Sequence, residues 1–235
     1  MYQNPSPSKP EGLRLCAKIP IPIPCVKLIE RLGSMAKKTI TFISSLLERV
    51  AESNDLKRGS PTQKASAFDG LSLPTISIRS YLERIFKFAN CSPCCFLIAC
   101  VYLDRFAQRH PLLPINSYNL HRLLITSVML AAKFMDDVHH NNAHYAKIGG
   151  ISTTEMNFLE VDFLYGLEFH LNVTLSTFDT YYSYLQKEMF IFEPPLDVVV
   201  VSDSSFIVDK SVKLIHSYFN EDETSSHPPH QQLAV

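Results

Sequence analysis

The 235-residue chain is 46% apolar, which suffices for one domain with tails or two small domains, each with a core. It carries 22 Lys and Arg against 23 Asp and Glu, a formal net charge of −1, so no positive excess argues for nucleic-acid binding. Four of the six cysteines fall within residues 91–100, three of them inside an apolar run, which is not the framework of a secreted disulfide scaffold.

Residues 1–34 are rich in Pro and Ser and include IPIPIP at 19–24. That composition favours an extended tail without a core, and Pro20, Pro22 and Pro24 interrupt the only stretch resembling a secretory h-region. A reduced, intracellular chain is expected, in nucleus and/or cytoplasm. Between 37 and 52 the pattern changes: Ile40, Ile43, Leu47 and Val50 recur at three and four, one face of a helix. Residues 53–75, with Gly59, Pro61, Gly70 and Pro74, read as a linker.

A helix is predicted over 76–90, with Ile78, Tyr81, Leu82, Ile85 and Phe88 as its apolar stripe. Ser92-Pro93 then reads as an N-cap followed by proline at the first helical position. Ten consecutive apolar residues, 94–103, predict a buried helix ending in Asp104-Arg105-Phe106. Pro111 and Pro114 bracket a turn, and Asn116 is placed to cap the central helix.

The stretch 119–137, NLHRLLITSVMLAAKFMDD, organises the rest. Between Arg122 and Lys133 its only polar side chains are Thr126 and Ser127. A helix apolar all round has no solvent face and belongs at the centre of a helical fold. It is too short for a bilayer, which needs about 20 apolar residues. Lys133 places a charge at the end of this most buried helix.

Residues 139–150 hold at most one short helix, closed by Gly149-Gly150. Ser152 to Glu155 form a capping-box pattern. The next helix turns Met156, Leu159, Phe163, Leu164 and Leu167 inward, with Glu160 inside the same stripe. A carboxylate there is desolvated unless paired, and the economical solution is that Lys133 and Glu160 meet at adjacent helix ends, or together bind another chain's backbone groups. A last clear helix starts at Ser176 and carries Phe178, Tyr181, Tyr182, Leu185 and Met189. Beyond Pro194-Pro195, 196–201 is strand-like, 206–219 is a marginal helix, and the end is low-complexity.

Enzyme signatures are missing: no GxxxxGK[ST] loop, GxGxxG, GxSxG or HExxH occurs. Cys91 and Cys94 have CxxC spacing, but no second pair completes a zinc site, and small buried residues at a helix start are the favoured reading. Asp136, Asp137, His139, His140 and His144 are the best metal candidates. Helical metal sites draw ligands from several helices, and the other stripes offer no spare His or Asp, so a solvated polar loop is preferred and no metal is assigned.

Several stretches resemble a cyclin box. YLDRF at 102–106 is similar to the end of the box's second helix, LLITSVMLAAKFMDD at 123–137 to its central third helix, and STTEMNFLEVDFLYGLEFHLNV at 152–173 to its fifth helix and the residues just after it. NNAHYAKIGGIS at 141–152 narrows the resemblance to plant U-type (P-type) cyclins, themselves similar to the yeast phosphate-signalling cyclins. The resemblance runs from about residue 37 to 189.

It implies an all-α fold: a single cyclin box, a five-helix bundle around a buried central helix, with one flanking helix on each side. The expected domains are a disordered Pro-rich tail at 1–36, the cyclin-box domain with its flanking helices at 37–190, and a mostly flexible tail at 191–235. The implied function is that of a regulatory subunit, not an enzyme. It binds and activates a cyclin-dependent serine/threonine kinase as a heterodimer, in cell-cycle or nutrient (phosphate-type) control, with no cofactor, nucleic acid or membrane. By resemblance, Lys133 and Glu160 grip the kinase's regulatory helix, and Asp104 forms a structural ion pair whose partner is expected to be Arg79. The MRAIL-type docking patch of mitotic cyclins is not present; SIRSYLERI at 77–85 stands near its place. The alternatives are a cyclin-fold scaffold that binds without activating and, behind it, a metal-dependent helical hydrolase.

Overall fold

A helix without a solvent face needs neighbours on every side, and the architecture follows from that requirement. The computed structural model describes residues 35–57 and 66–192. The two expected tails, the strand-like 196–201 and the marginal helix at 206–219 lie outside those residues, except for 35–36 and 191–192. Among the described residues there are seven helices and no strand: α1 (Ala36–Lys57), α2 (Ile78–Phe88), α3 (Cys94–Arg109), α4 (Leu120–Met135), α5 (Asn142–Gly149), α6 (Thr153–Gly166) and α7 (Leu175–Phe192).

Every residue of α4 from 123 to 132 is buried, and α2, α3, α5 and α6 pack around it. Its two small polar side chains are satisfied within the helix. Thr126 donates to the Arg122 carbonyl at 2.8 Å, and Ser127 to the Leu124 carbonyl at 2.9 Å. Helices α2 to α6 form the all-α five-helix bundle around a buried central helix that the resemblance implies. Helix α1 flanks it, packed on α2 and α7, and α7 closes the other side against α3 and α1.

Side-chain chemistry sets the helix ends. Asn116 does not cap α4 with its side chain but locks the turn before it with Asn119: Asn116 Oδ1 accepts from the Tyr118 and Asn119 backbone N–H groups, and Asn119 Oδ1 accepts from that of Asn116 at 2.9 Å. Asn141 caps α5 by accepting from the His144 N–H, and Gly150, at φ 72°, closes it in the left-handed conformation that glycine adopts without penalty. Ser152 caps α6 by accepting from the Glu155 N–H at 3.0 Å. The expected capping box is only half made, because the Glu155 carboxylate takes the Arg122 guanidinium at 2.7 Å instead. A charged donor is a stronger partner than the neutral backbone N–H the box would offer.

Two further expectations are corrected. Ser92 does not cap α3 with its side chain; both its N–H and its hydroxyl donate to Asp136 at the C-terminal end of α4. That carboxylate stands at the start of α3, where the helix dipole favours a negative charge. The segment 53–75 is also more than a linker. Helix α1 runs on to Lys57, so Asn54 reaches the Ile115 carbonyl at 2.8 Å and Asp55 the Ser117 hydroxyl at 2.5 Å. These bonds pin α1 to the loop before α4. Phe68 is buried and packs edge-on against both Phe106 and Phe163, whose rings stack at 4.8 Å.

Phe68 is therefore a wedge holding the stretch before α2 onto α3 and α6. Removing a buried phenyl typically costs about 3–5 kcal/mol. Phe68→Ala should lower the melting temperature of the full chain by on the order of 10 °C, as followed by helical circular dichroism. A change of only a degree or two would show that the wedge contributes little.

Candidate partner-binding site

Lys133 lies in the last turn of α4, where the helix dipole favours a cation. Glu160 lies midway along α6, beside the buried Met156, Leu159 and Phe163. Because α4 and α6 pack together, the two charges meet: Lys133 Nζ is 2.6 Å from Glu160 Oε1. The pair is not a core ion pair, since the side chains keep 24% and 18% of their surface exposed. A largely covered ion pair offsets much of its attraction against the desolvation of both charges, so its presence alone is weak evidence that it holds the bundle together.

A third residue completes it. Asn142, the first residue of α5, accepts from Lys133 Nζ through Oδ1 and donates through Nδ2 to Glu160 Oε2 at 2.6 Å and to Asn157 Oδ1 at 2.7 Å. Three helices are thus joined at one polar junction. The same helices also carry exposed apolar side chains: Phe134, Met135 and Val138 follow Lys133, and Phe158, Val161 and Tyr165 recur at three and four on the outer face of α6. Phe158 and Tyr165 are each 67% exposed. A cavity of about 530 Å³ opens beside the junction, lined by Lys133, His139, His140, Asn141, Asn142, Ala143 and Thr153. Anchored charges together with exposed aromatic groups on the same helices are the composition of a protein-binding surface.

Comparison with known proteins places this arrangement in a family. The Cyclin family model matches residues 27–171. The chain is 62% identical to Cyclin-U4-1 of Arabidopsis thaliana over 205 residues, covering 86% of this chain and 96% of that one. It is 50% identical to Cyclin-U4-3 of the same plant, over 88% and 94%. With Cyclin-P4-1 of Oryza sativa subsp. japonica the identity is 53%, over 70% and 82%.

The chain belongs to the cyclin family. Its relatives are the plant U- and P-type cyclins, so the function to be explained is a regulatory one.

In this cyclin the expected partner of Asp104 is a misassignment. Asp104 accepts from the Tyr181 hydroxyl at 2.6 Å and from Gln108 at 2.9 Å, so it ties α3 to the flanking helix α7. Burial and the adjacent carboxylate both push the Tyr181 hydroxyl up, and it stays a donor. Arg79 instead pairs with Glu83 on its own helix at 3.2 Å, with Glu48 of α1 beside its backbone N–H. Its side of α2 faces α1 and solvent rather than the end of α3.

The Asp/His run does not converge either. Asp136 turns to Ser92, while the His140 and His144 rings stack at 4.0 Å and His144 lies 3.0 Å from the Phe88 carbonyl. Among the described residues no group of three or more His, Cys, Asp or Glu is placed to hold a metal ion, and no helix is long and apolar enough to cross a membrane.

Sequence reasoning expected Lys133 and Glu160 to meet, as they do, but did not single out Asn142 or the outer apolar stripe. The stripe was readable, because Phe158, Val161 and Tyr165 have helical spacing on the face opposite the buried one. Asn142 had no signal, being one neutral polar residue in a polar run.

Cys94, Cys95 and Cys100 are held as thiols. The Cys94 thiol is raised by the hydrogen bond it donates to Cys95, then by burial; that of Cys95 is raised by the one it donates to Cys91; burial pushes Cys100 up to about 12. Thiolate is the reactive form, so the three should remain unalkylated by iodoacetamide in the native chain at pH 8 and react only after unfolding. Peptide mass spectrometry checks this. Rapid native labelling of Cys94 would show instead that its place at the α3 N-terminus activates it.

Proposed function

We infer that this cyclin binds and activates a cyclin-dependent serine/threonine kinase, and that the pair Lys133 and Glu160 is the contact. The observation that carries the reading is the partly exposed Lys133–Glu160 pair on two helices that also carry exposed apolar side chains. It is held in place by three helices, and its side chains still keep part of their surface open to a partner. Those apolar side chains give a partner area to cover, and a partner seated over the pair would desolvate it.

The mechanism implied is a population shift. A kinase without its cyclin holds its regulatory helix outward, so the active-site Lys–Glu ion pair is not formed. A surface that binds only the inward helix favours the active state by its differential affinity. Such a surface must not yield, and a close-packed bundle supplies that stiffness. The residual hydrogen-bonding capacity of Lys133 and Glu160 suits backbone carbonyl and amide groups at a helix end. The setting proposed is cell-cycle or nutrient control.

Truncating one partner of a charged pair buried at an interface costs about 2–5 kcal/mol, partly because the other charge is left alone. Lys133→Ala should weaken affinity for a plant cyclin-dependent kinase on that scale while its melting temperature stays near that of the unsubstituted chain. The double variant with Glu160→Ala should lose less than the sum of the singles, as coupled neighbours do. The measurement is a calorimetric double-mutant cycle with a parallel assay of kinase activity. Normal binding by both singles would place the interface elsewhere, and tight binding without a rise in activity would favour a scaffold.

A further inference from the structure

The Lys133–Glu160 contact contains a residue that touches both charges, and it need not be a contact itself. We propose that Asn142 is the positioning residue of this site, a neutral bridge that fixes the ammonium and the carboxylate before any partner arrives. The proposal rests on the reading of Lys133 and Glu160 as the kinase contact.

A carboxamide offers one acceptor oxygen and two N–H donors on a short planar group. At Asn142 all of these are directed inward: the oxygen to Lys133, one N–H to Glu160 Oε2, the other to Asn157 Oδ1. Asn142 is thereby satisfied within the junction, but its two charged neighbours are not exhausted. An ammonium has three N–H donors, and here two are directed at Asn142 and Glu160. A carboxylate has about four acceptor sites, and two are taken, one on each oxygen, among the described residues. What remains is one donor from α4 and two acceptor sites from α6, at fixed positions, for a backbone carbonyl and amide groups.

The bridge has a second consequence. Lys and Glu side chains lose considerable rotamer freedom when immobilised at an interface. If they are immobilised in the free cyclin, that cost falls on folding and not on binding. Asn142 can do this because it is the first residue of α5, set by the Asn141 cap, and so rigidly held at the foot of the cavity beside Lys133. An aspartate has the same shape but cannot donate to Glu160 or Asn157, and it adds a like charge beside Glu160. In the first turn of a helix, however, an aspartate is favoured by the dipole. The two roles open to Asn142, helix start and bridge, therefore predict opposite results for Asn142→Asp.

The test measures the affinity of the full chain for a recombinant plant cyclin-dependent kinase, with a melt of each variant alone. Asn142→Ala should weaken binding about tenfold, the scale of freeing two long side chains. Asn142→Asp should weaken it at least as much without a larger loss of melting temperature. In the Lys133→Ala, Glu160→Ala background, Asn142→Ala should change affinity less than about twofold, as expected when a residue acts through others. If Lys133→Ala and Glu160→Ala both bind normally, the contact itself is wrong and this inference falls with it. If those two lose binding while Asn142→Ala and Asn142→Asp retain it, only the bridge is overturned. If Asn142→Asp keeps both melting temperature and affinity while Asn142→Ala loses both, Asn142 serves the α5 helix start alone and the proposal fails.

Discussion

One constraint underlies the whole fold: α4 has no face that tolerates water. Ten consecutive buried residues in one helix require a wall on every side, and α2, α3, α5 and α6 supply it. A single ordinary side chain facing solvent along that stretch would leave an open flank. The same demand explains the stretch before α2, where Phe68 closes the gap between α3 and α6 against Phe106 and Phe163. It also explains why the flanking helices are tied down polar group by polar group, α1 through Asn54 and Asp55, α7 through Tyr181.

The site stands where this constraint ends. At Lys133 the helix leaves the core, and the charge that its dipole favours is also the first one able to reach the surface. Packing of α6 on α4 brings Glu160 to it, and the start of α5 inserts Asn142 between the two. The polar junction thus has the rigidity of the core behind it and exposed apolar side chains on the same helices. A regulatory subunit that works by favouring one position of its partner's helix needs that combination.

Much of this was legible in the amino-acid sequence, for identifiable reasons. The run from 123 to 132 admits no solvent face, the stripe of α2 has clean helical spacing, and a carboxylate within the α6 stripe demanded a cation. Those are local patterns whose physical cost is high. What stayed hidden depends on tertiary choice. Glu155 had its own backbone to cap and took Arg122 instead; Ser92 had α3 to cap and gave its hydroxyl to Asp136. Arg79 and Asp104 carried opposite charges on neighbouring elements, but α2 turns Arg79 toward α1, and Asp104 faces α7. Asn142 and Phe68 are single residues without periodicity, and only the assembled fold gives them partners.

The most direct test of the account is hydrogen exchange of the full chain, free and bound to a plant cyclin-dependent kinase. Amide protection reports local opening free energies, and the most buried elements exchange only near global unfolding. The account predicts that α4 is among the slowest-exchanging segments of the free chain. Kinase binding should then add protection at the end of α4, the start of α5 and the outer face of α6, around Lys133, Asn142, Phe158 and Glu160. Added protection confined to α1 and α7, with the junction unchanged, would contradict it.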